Sequence, residues 1–115
     1  MNDISTYDDC QLLIEKFYEK LLINKEINHF FVHLNLEHHI PHVASFWAFI
    51  LLDQAGYSSN MMKAHQNLQL KGNDFDVWLG LFHSTIDELF QGEKATLAKE
   101  RSQLIAMTLR HKFES

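Results

Sequence analysis

Histidine is the residue type with the most to explain in this chain. Eight occur in 115 residues, and imidazole both binds transition metals and changes charge near neutral pH. Two pairs, His29/His33 and His38/His42, have i, i+4 spacing, which puts both rings of a pair on one face wherever the segment is helical. Such a pair can chelate zinc or copper. A structural zinc site usually needs four ligands, however, and solvated surface histidines give the same spacing.

His65 differs in its surroundings. Met61, Met62 and Leu68 flank it, in a chain with nine Phe and two Trp. A haem iron takes one neutral imidazole nitrogen and needs an apolar slot around the porphyrin. A lone histidine beside an apolar patch is more often a satisfied core residue, so spacing alone leaves both readings open. Two more polar groups sit in apolar patterns. Tyr18 projects from the edge of an apolar arc, where its hydroxyl can donate or accept, and Trp78 offers an indole N–H that can only donate. A core tyrosine with its hydroxyl at the surface is the plain alternative for Tyr18, and ordinary core packing explains Trp78 equally well.

These residues are expected on helices, because four Gly and one Pro leave little material for hairpins. The first helix starts at Thr6, with Asp9 three residues on as a capping box. Cys10, Leu13, Ile14, Phe17, Tyr18 and Leu21 then form one arc, and Glu15, Lys16, Glu19 and Lys20 the other, an amphipathic pattern. Residues 24–32 read as a turn and short helix delivering Phe30 and Phe31. A second long helix is expected over 37–55, stopping at Gly56, with Pro41 in its first or second turn, where a missing N–H does least harm. Its centre, Phe46 to Leu52, is apolar nearly all round.

Periodicity fades between Gly56 and Gly72, although Met61 to His65 suffices for about one and a half turns. Asn73 then reads as a cap with Asp76 three residues later. Phe75, Trp78, Leu79, Phe82, Ile86 and Leu89 make the buried stripe of a third helix ending near Gly92. The last helix, 93–113, carries Leu97, Ala98, Leu104, Ile105 and Leu109 on one arc, with Arg101 and Thr108 inside it.

Composition narrows the classes. The length fits one domain over 1–115. A net charge of −5 and the lack of a basic stripe argue against nucleic-acid binding. Cys10 is the only cysteine, so there is neither an internal disulfide nor a Cys-x-x-Cys-His haem attachment. The acidic Met1-Asn2-Asp3 start is unlike a signal peptide. The apolar run from Val43 to Leu52 is about half the ~20 residues that span a bilayer. A cytoplasmic protein without membrane contact is expected.

Four segments, in order and at matching separations, resemble the group III truncated haemoglobins over about residues 10–113. They are Phe17-Tyr18-Glu19-Lys20, with Phe31 thirteen residues after Tyr18; His39-Ile40-Pro41-His42-Val43-Ala44-Ser45-Phe46-Trp47; Ala64-His65-Gln66-Asn67-Leu68; and Phe75-Asp76-Val77-Trp78-Leu79-Gly80-Leu81-Phe82. The chain departs from the family at Tyr57-Ser58-Ser59-Asn60-Met61-Met62, where members often carry Gly and Pro.

The resemblance implies an all-α truncated globin fold with helices sandwiching a b-type haem. His65 is then the iron ligand, its other N–H held by a backbone carbonyl. Tyr18 and Trp78 are the distal donors, and His39 stands at the pocket mouth as a candidate gate. Phe31, Val43, Phe46, Leu68, Trp78 and Phe82 pack against the cofactor. Haem propionates need cations, for which His42, Lys63 and Arg101 are candidates; a salt bridge to an acidic side chain is the plain alternative for Arg101. Reversible binding of oxygen, nitric oxide or carbon monoxide follows. The alternative on the same haem is an enzyme for nitric oxide dioxygenation or peroxide chemistry, with an unidentified reductase. A third class, a haem-free histidine metal binder or interaction bundle, would be colourless.

Overall fold

The computed structural model describes residues 1–54 and 70–114. Four α-helices account for most of them: α1 (Tyr7–Ile23), α2 (Leu36–Leu52), α3 (Asn73–Leu89) and α4 (Glu93–Glu114), with a 3-10 turn at Asn28–Phe30 between the first two. No strand occurs among the described residues.

The start of α1 is fixed locally, as the sequence implies. Thr6 Oγ1 accepts the Asp9 N–H at 3.1 Å and Asp9 Oδ2 accepts the Thr6 N–H at 3.1 Å, so two donors left over at the helix end are satisfied reciprocally. One face of α1 then buries Cys10, Leu13, Ile14, Phe17, Tyr18 and Leu21. It packs on both α2 and α3, and α3 packs on α4. Only Phe90, Gln91 and Gly92 separate α3 from α4, a connection short enough to make them antiparallel neighbours.

The start of α4 is capped from a distance. Gly92, at φ 143°, has no side chain with which to accept the first N–H groups of the helix. Asp3 replaces it: its Oδ2 accepts from Lys94 N and its Oδ1 from Ala95 N, both at 2.9 Å. Burial raises the Asp3 carboxyl, but the backbone N–H groups of Lys94, Ala95 and Ile4 outweigh it and hold the group below its ordinary value of 3.8. Asn2 O also accepts from Gln91 N at 3.0 Å, and Ile4 is buried. Residues 2–4 thereby tie α1 to the start of α4.

Several boundaries and faces differ from the sequence reading. Helix α2 stops at Leu52, four residues before Gly56, because Asp53 adopts the left-handed conformation (φ 56°, ψ 27°) and its N–H donates to Ala48 O. Helix α3 begins at Asn73 after Gly72, without a side-chain cap. Asp74 Oδ2 instead accepts from Lys71 N at 3.2 Å and so fixes the turn that leads into the helix. The same helix ends at Leu89, before Gly92. On α4, Leu104 is 54% exposed, while Ser102 and Ala106 are buried. Ser102 tolerates full burial because its Oγ donates to Lys99 O at 2.9 Å and meets His83 Nε2 at 3.1 Å.

The histidine pairs fare differently. His29 lies in the 3-10 turn and His33 beyond it, so four residues of separation do not put them on one α-helical face. His38 and His42 do share an exposed face of α2. Among the described residues, no three His, Cys, Asp or Glu side chains are grouped to hold a metal ion. No helix there is long and apolar enough to cross a membrane.

Candidate functional site

Helices α1, α2 and α3 converge on a cluster of rings. Phe17 sits at its centre, edge-on to Tyr18 (5.6 Å between centroids), Trp78 (5.8 Å) and Phe82 (4.9 Å). Phe82 is stacked between Trp47 at 5.0 Å and Trp78 at 6.0 Å. Edge-to-face and offset-stacked pairs each add about 0.5–1.5 kcal/mol beyond the area they bury, so the cluster holds its members in fixed orientations.

Tyr18 is the polar member. It is only 6% exposed and meets Phe31 and His39 edge-on, at 6.0 and 5.1 Å. Its hydroxyl and His39 Nε2 share a hydrogen bond of 2.5 Å. The phenol donates when Nε2 carries no proton, and the imidazole donates when it does. In the second arrangement the phenol proton is free for another acceptor. Burial pushes the Tyr18 phenol well above its ordinary value, so it stays a proton donor.

Pro41 lies two residues beyond His39, in the second turn of α2. Having no N–H, it leaves the Glu37 carbonyl without its usual helical partner. Tyr7 Oη donates to Pro41 O at 3.3 Å and ties this turn back to the start of α1. The turn that carries His39 is thus held by two tyrosines of α1.

Trp78 is half-buried. Its indole N–H makes no hydrogen bond among the described residues, where no buried side-chain N or O lacks a partner. The N–H therefore opens onto accessible space, as a donor awaiting an acceptor.

The structure brings Tyr18, His39, Phe31, Trp78 and Phe82 into one connected set. Phe31 is sealed behind Tyr18, while Val43 and Phe46 are half-buried on α2, on the side of the helix that carries His39. His42 is exposed on the same helix, and Arg101 is exposed on α4. Lys63, His65 and Leu68 lie outside the described residues, as does the expected turn from Met61 to His65.

Two features escape the sequence reading. The first is the Tyr18–His39 bond, which joins residues 21 positions apart and depends on how α1 crosses α2. The second is a groove of about 220 Å³ between α2 and α4, lined by Phe46, Ile50, Arg101, Leu104, Ile105 and Thr108. The i, i+4 and i+7 spacings within each helix were its available signal.

This arrangement is a truncated globin fold. The crystal structure of the group III truncated haemoglobin from Campylobacter jejuni superposes with a TM-score of 0.84, covering 98% of this chain and 95% of that one at 24% identity. In sequence, the chain is 28% identical over 101 residues to the group 3 truncated haemoglobin ctb of C. jejuni, covering 82% of this chain and 80% of that protein. It is 30% identical over 74 residues to a group 1 truncated haemoglobin of Tetrahymena thermophila, covering 64% and 61%. No protein-family model matches. The resemblance to the group III truncated haemoglobins drawn from the four motifs is borne out by sequence and fold together.

Proposed function

We propose that the chain holds a b-type haem with its iron on His65, and that it binds diatomic gases reversibly against Tyr18, His39 and Trp78. The truncated haemoglobins it resembles support the cofactor. The observation that carries the reading is the Tyr18–His39 pair at 2.5 Å, buried among aromatic rings. A buried polar pair of this kind is costly to desolvate, and here it lies beside a tryptophan N–H that makes no hydrogen bond among the described residues.

These residues fit a haem on its distal side. Tyr18 and Trp78 supply two N–H or O–H donors, Val43 and Phe46 supply apolar surface, and among the described residues no carboxylate lies among the rings of the cluster. Haem iron supplies a coordination position for a gas once an imidazole occupies the opposite side. Everything else falls to the chain. Tyr18 stays protonated through burial and donates once His39 Nε2 donates to it. Trp78 donates from a ring fixed by Phe17 and Phe82. His39 closes the mouth of the pocket for as long as Tyr18 holds it. Two donors favour retention of oxygen over rapid exchange, because both bonds break before release.

The test is titration of the purified chain with haemin. An intense violet absorption band saturating near one equivalent is expected, and a chain that stays colourless overturns the reading.

A further inference from the structure

Two exposed histidines of α2 take no part in the ring cluster around Tyr18. His38 and His42 stand one turn apart on the solvent face of that helix. Side chains at i and i+4 of an α-helix have Cβ atoms about 5–6 Å apart. Two imidazoles so placed can turn toward each other and close on one metal ion at about 2.0–2.1 Å. The turn they span is a weak one. Asn35, which precedes α2, supplies no side-chain cap, and Pro41 offers no N–H to the Glu37 carbonyl. An ion held by both rings would bridge the helix alongside the missing hydrogen bond.

The other described histidines lack this arrangement. His39 Nε2 is engaged with the Tyr18 hydroxyl, and His83 Nε2 with Lys99 O and Ser102 Oγ. His111 has no histidine four residues to either side. His29 and His33 have the same sequence spacing as His38 and His42, but His29 lies in the 3-10 turn with its ring against Phe30 at 4.1 Å, and His33 lies beyond that turn. Backbone conformation therefore separates one pair from the other. The one thiol of the chain, Cys10, is buried and does not compete for an ion at the surface. A net charge of −5 favours the approach of a cation.

We propose that His38 and His42 form a two-imidazole site for a divalent late transition metal ion, and that the bound ion staples the turn of α2 that carries His39. Water completes the coordination. Imidazole donors suit copper and zinc alike, and at a given nitrogen site copper(II) binds more tightly than zinc(II). The inference does not rest on the haem reading.

The experiment titrates copper(II) into the full chain and into four variants, His38→Ala, His42→Ala, His29→Ala and His33→Ala, followed by electron paramagnetic resonance. Losing even the hydrogen-bond partner of a metal ligand costs about 10–100-fold in affinity. Removing either of only two ligands should therefore weaken copper binding at least about tenfold, equally in His38→Ala and His42→Ala. The His29→Ala and His33→Ala variants should bind as wild type does. Zinc(II), being diamagnetic, serves for amide hydrogen exchange by NMR. At a hundredfold excess over its Kd, openings that break the site are suppressed about a hundredfold. Zinc should thus slow exchange at His39, Ile40 and His42 by up to that factor in wild type, and leave it unchanged in His42→Ala. Wild-type copper affinity in His38→Ala and His42→Ala, or an equal loss in His29→Ala, overturns the site. Exchange rates in wild type that are indifferent to zinc overturn the staple.

Discussion

Replacing Tyr18 by Phe removes one hydroxyl and leaves the ring packing against Phe17, Phe31 and His39 in place. Two interactions are lost together. The first is the donor to bound gas: a net hydrogen bond is worth about 0.5–1.5 kcal/mol, so oxygen release should accelerate about two- to tenfold. The second is the 2.5 Å bond to His39. A buried polar atom that loses its partner costs about 1–3 kcal/mol, which favours turning the His39 ring out toward water. Carbon monoxide accepts weaker hydrogen bonds than oxygen, so its entry reports access more than donation. Tyr18→Phe should therefore raise carbon monoxide association as well, and His39→Leu should reproduce that change with little effect on carbon monoxide release. Stopped-flow displacement measures oxygen release, and flash photolysis measures carbon monoxide rebinding. Unchanged oxygen release in Tyr18→Phe, with rebinding traces identical to wild type in both variants, would refute the reasoning.

Trp78→Phe should also speed oxygen release about two- to tenfold, from the loss of one N–H donor; a lowered melting temperature with an unchanged off-rate would make Trp78 core packing only. Asp3→Asn weakens the distant cap of α4 and should cost about 1 kcal/mol at neutral pH. Because the folded-state pKa of Asp3 is depressed, its stabilisation is present above the unfolded value of about 3.9 and is lost as pH falls through the folded one. Urea unfolding should therefore show a gap between the two proteins at pH 7 that narrows below about pH 4, and a gap independent of pH contradicts the assignment. Gly92→Ala would set a Cβ 2.5 Å from Asp3 Cγ at φ 143°, at a cost of about 1–3 kcal/mol; a thermal melt matching wild type would show that Asp3 moves aside freely.

The sequence was most legible where structure is local. The Thr6–Asp9 capping box, the buried arc of α1 and the place of Pro41 depend on residues within one or two turns, and all three appear as read. Where two short-range options compete, the reading slipped. Asp53 takes the left-handed position after α2, short of the expected end at residue 55, since Asp tolerates it. At the start of α3, Asp74 rather than Asn73 accepts a backbone N–H. The arc of α4 failed at Leu104 because a helical wheel cannot say which flank meets a neighbour. Ser102 joins the core only because His83, nineteen residues away, and Lys99 satisfy its hydroxyl.

The site divides along the same line. Tyr18, His39 and Trp78 could be named from motifs. That Tyr18 and His39 are bonded, and that Arg101 heads an apolar groove, are consequences of how α2 sits against α1 and α4. No single segment contains that information. His29 and His33 show the converse, a suggestive spacing that a 3-10 turn deprives of meaning.

The account stands on His65 as the iron ligand, and its most direct test is the absorption spectrum of His65→Ala loaded with haemin, with and without added imidazole. The substitution is expected to abolish tight haem retention, or to leave a perturbed spectrum that free imidazole restores toward wild type. Wild-type spectra and wild-type haem retention in His65→Ala, indifferent to imidazole, would contradict it and pass the ligand role to another histidine.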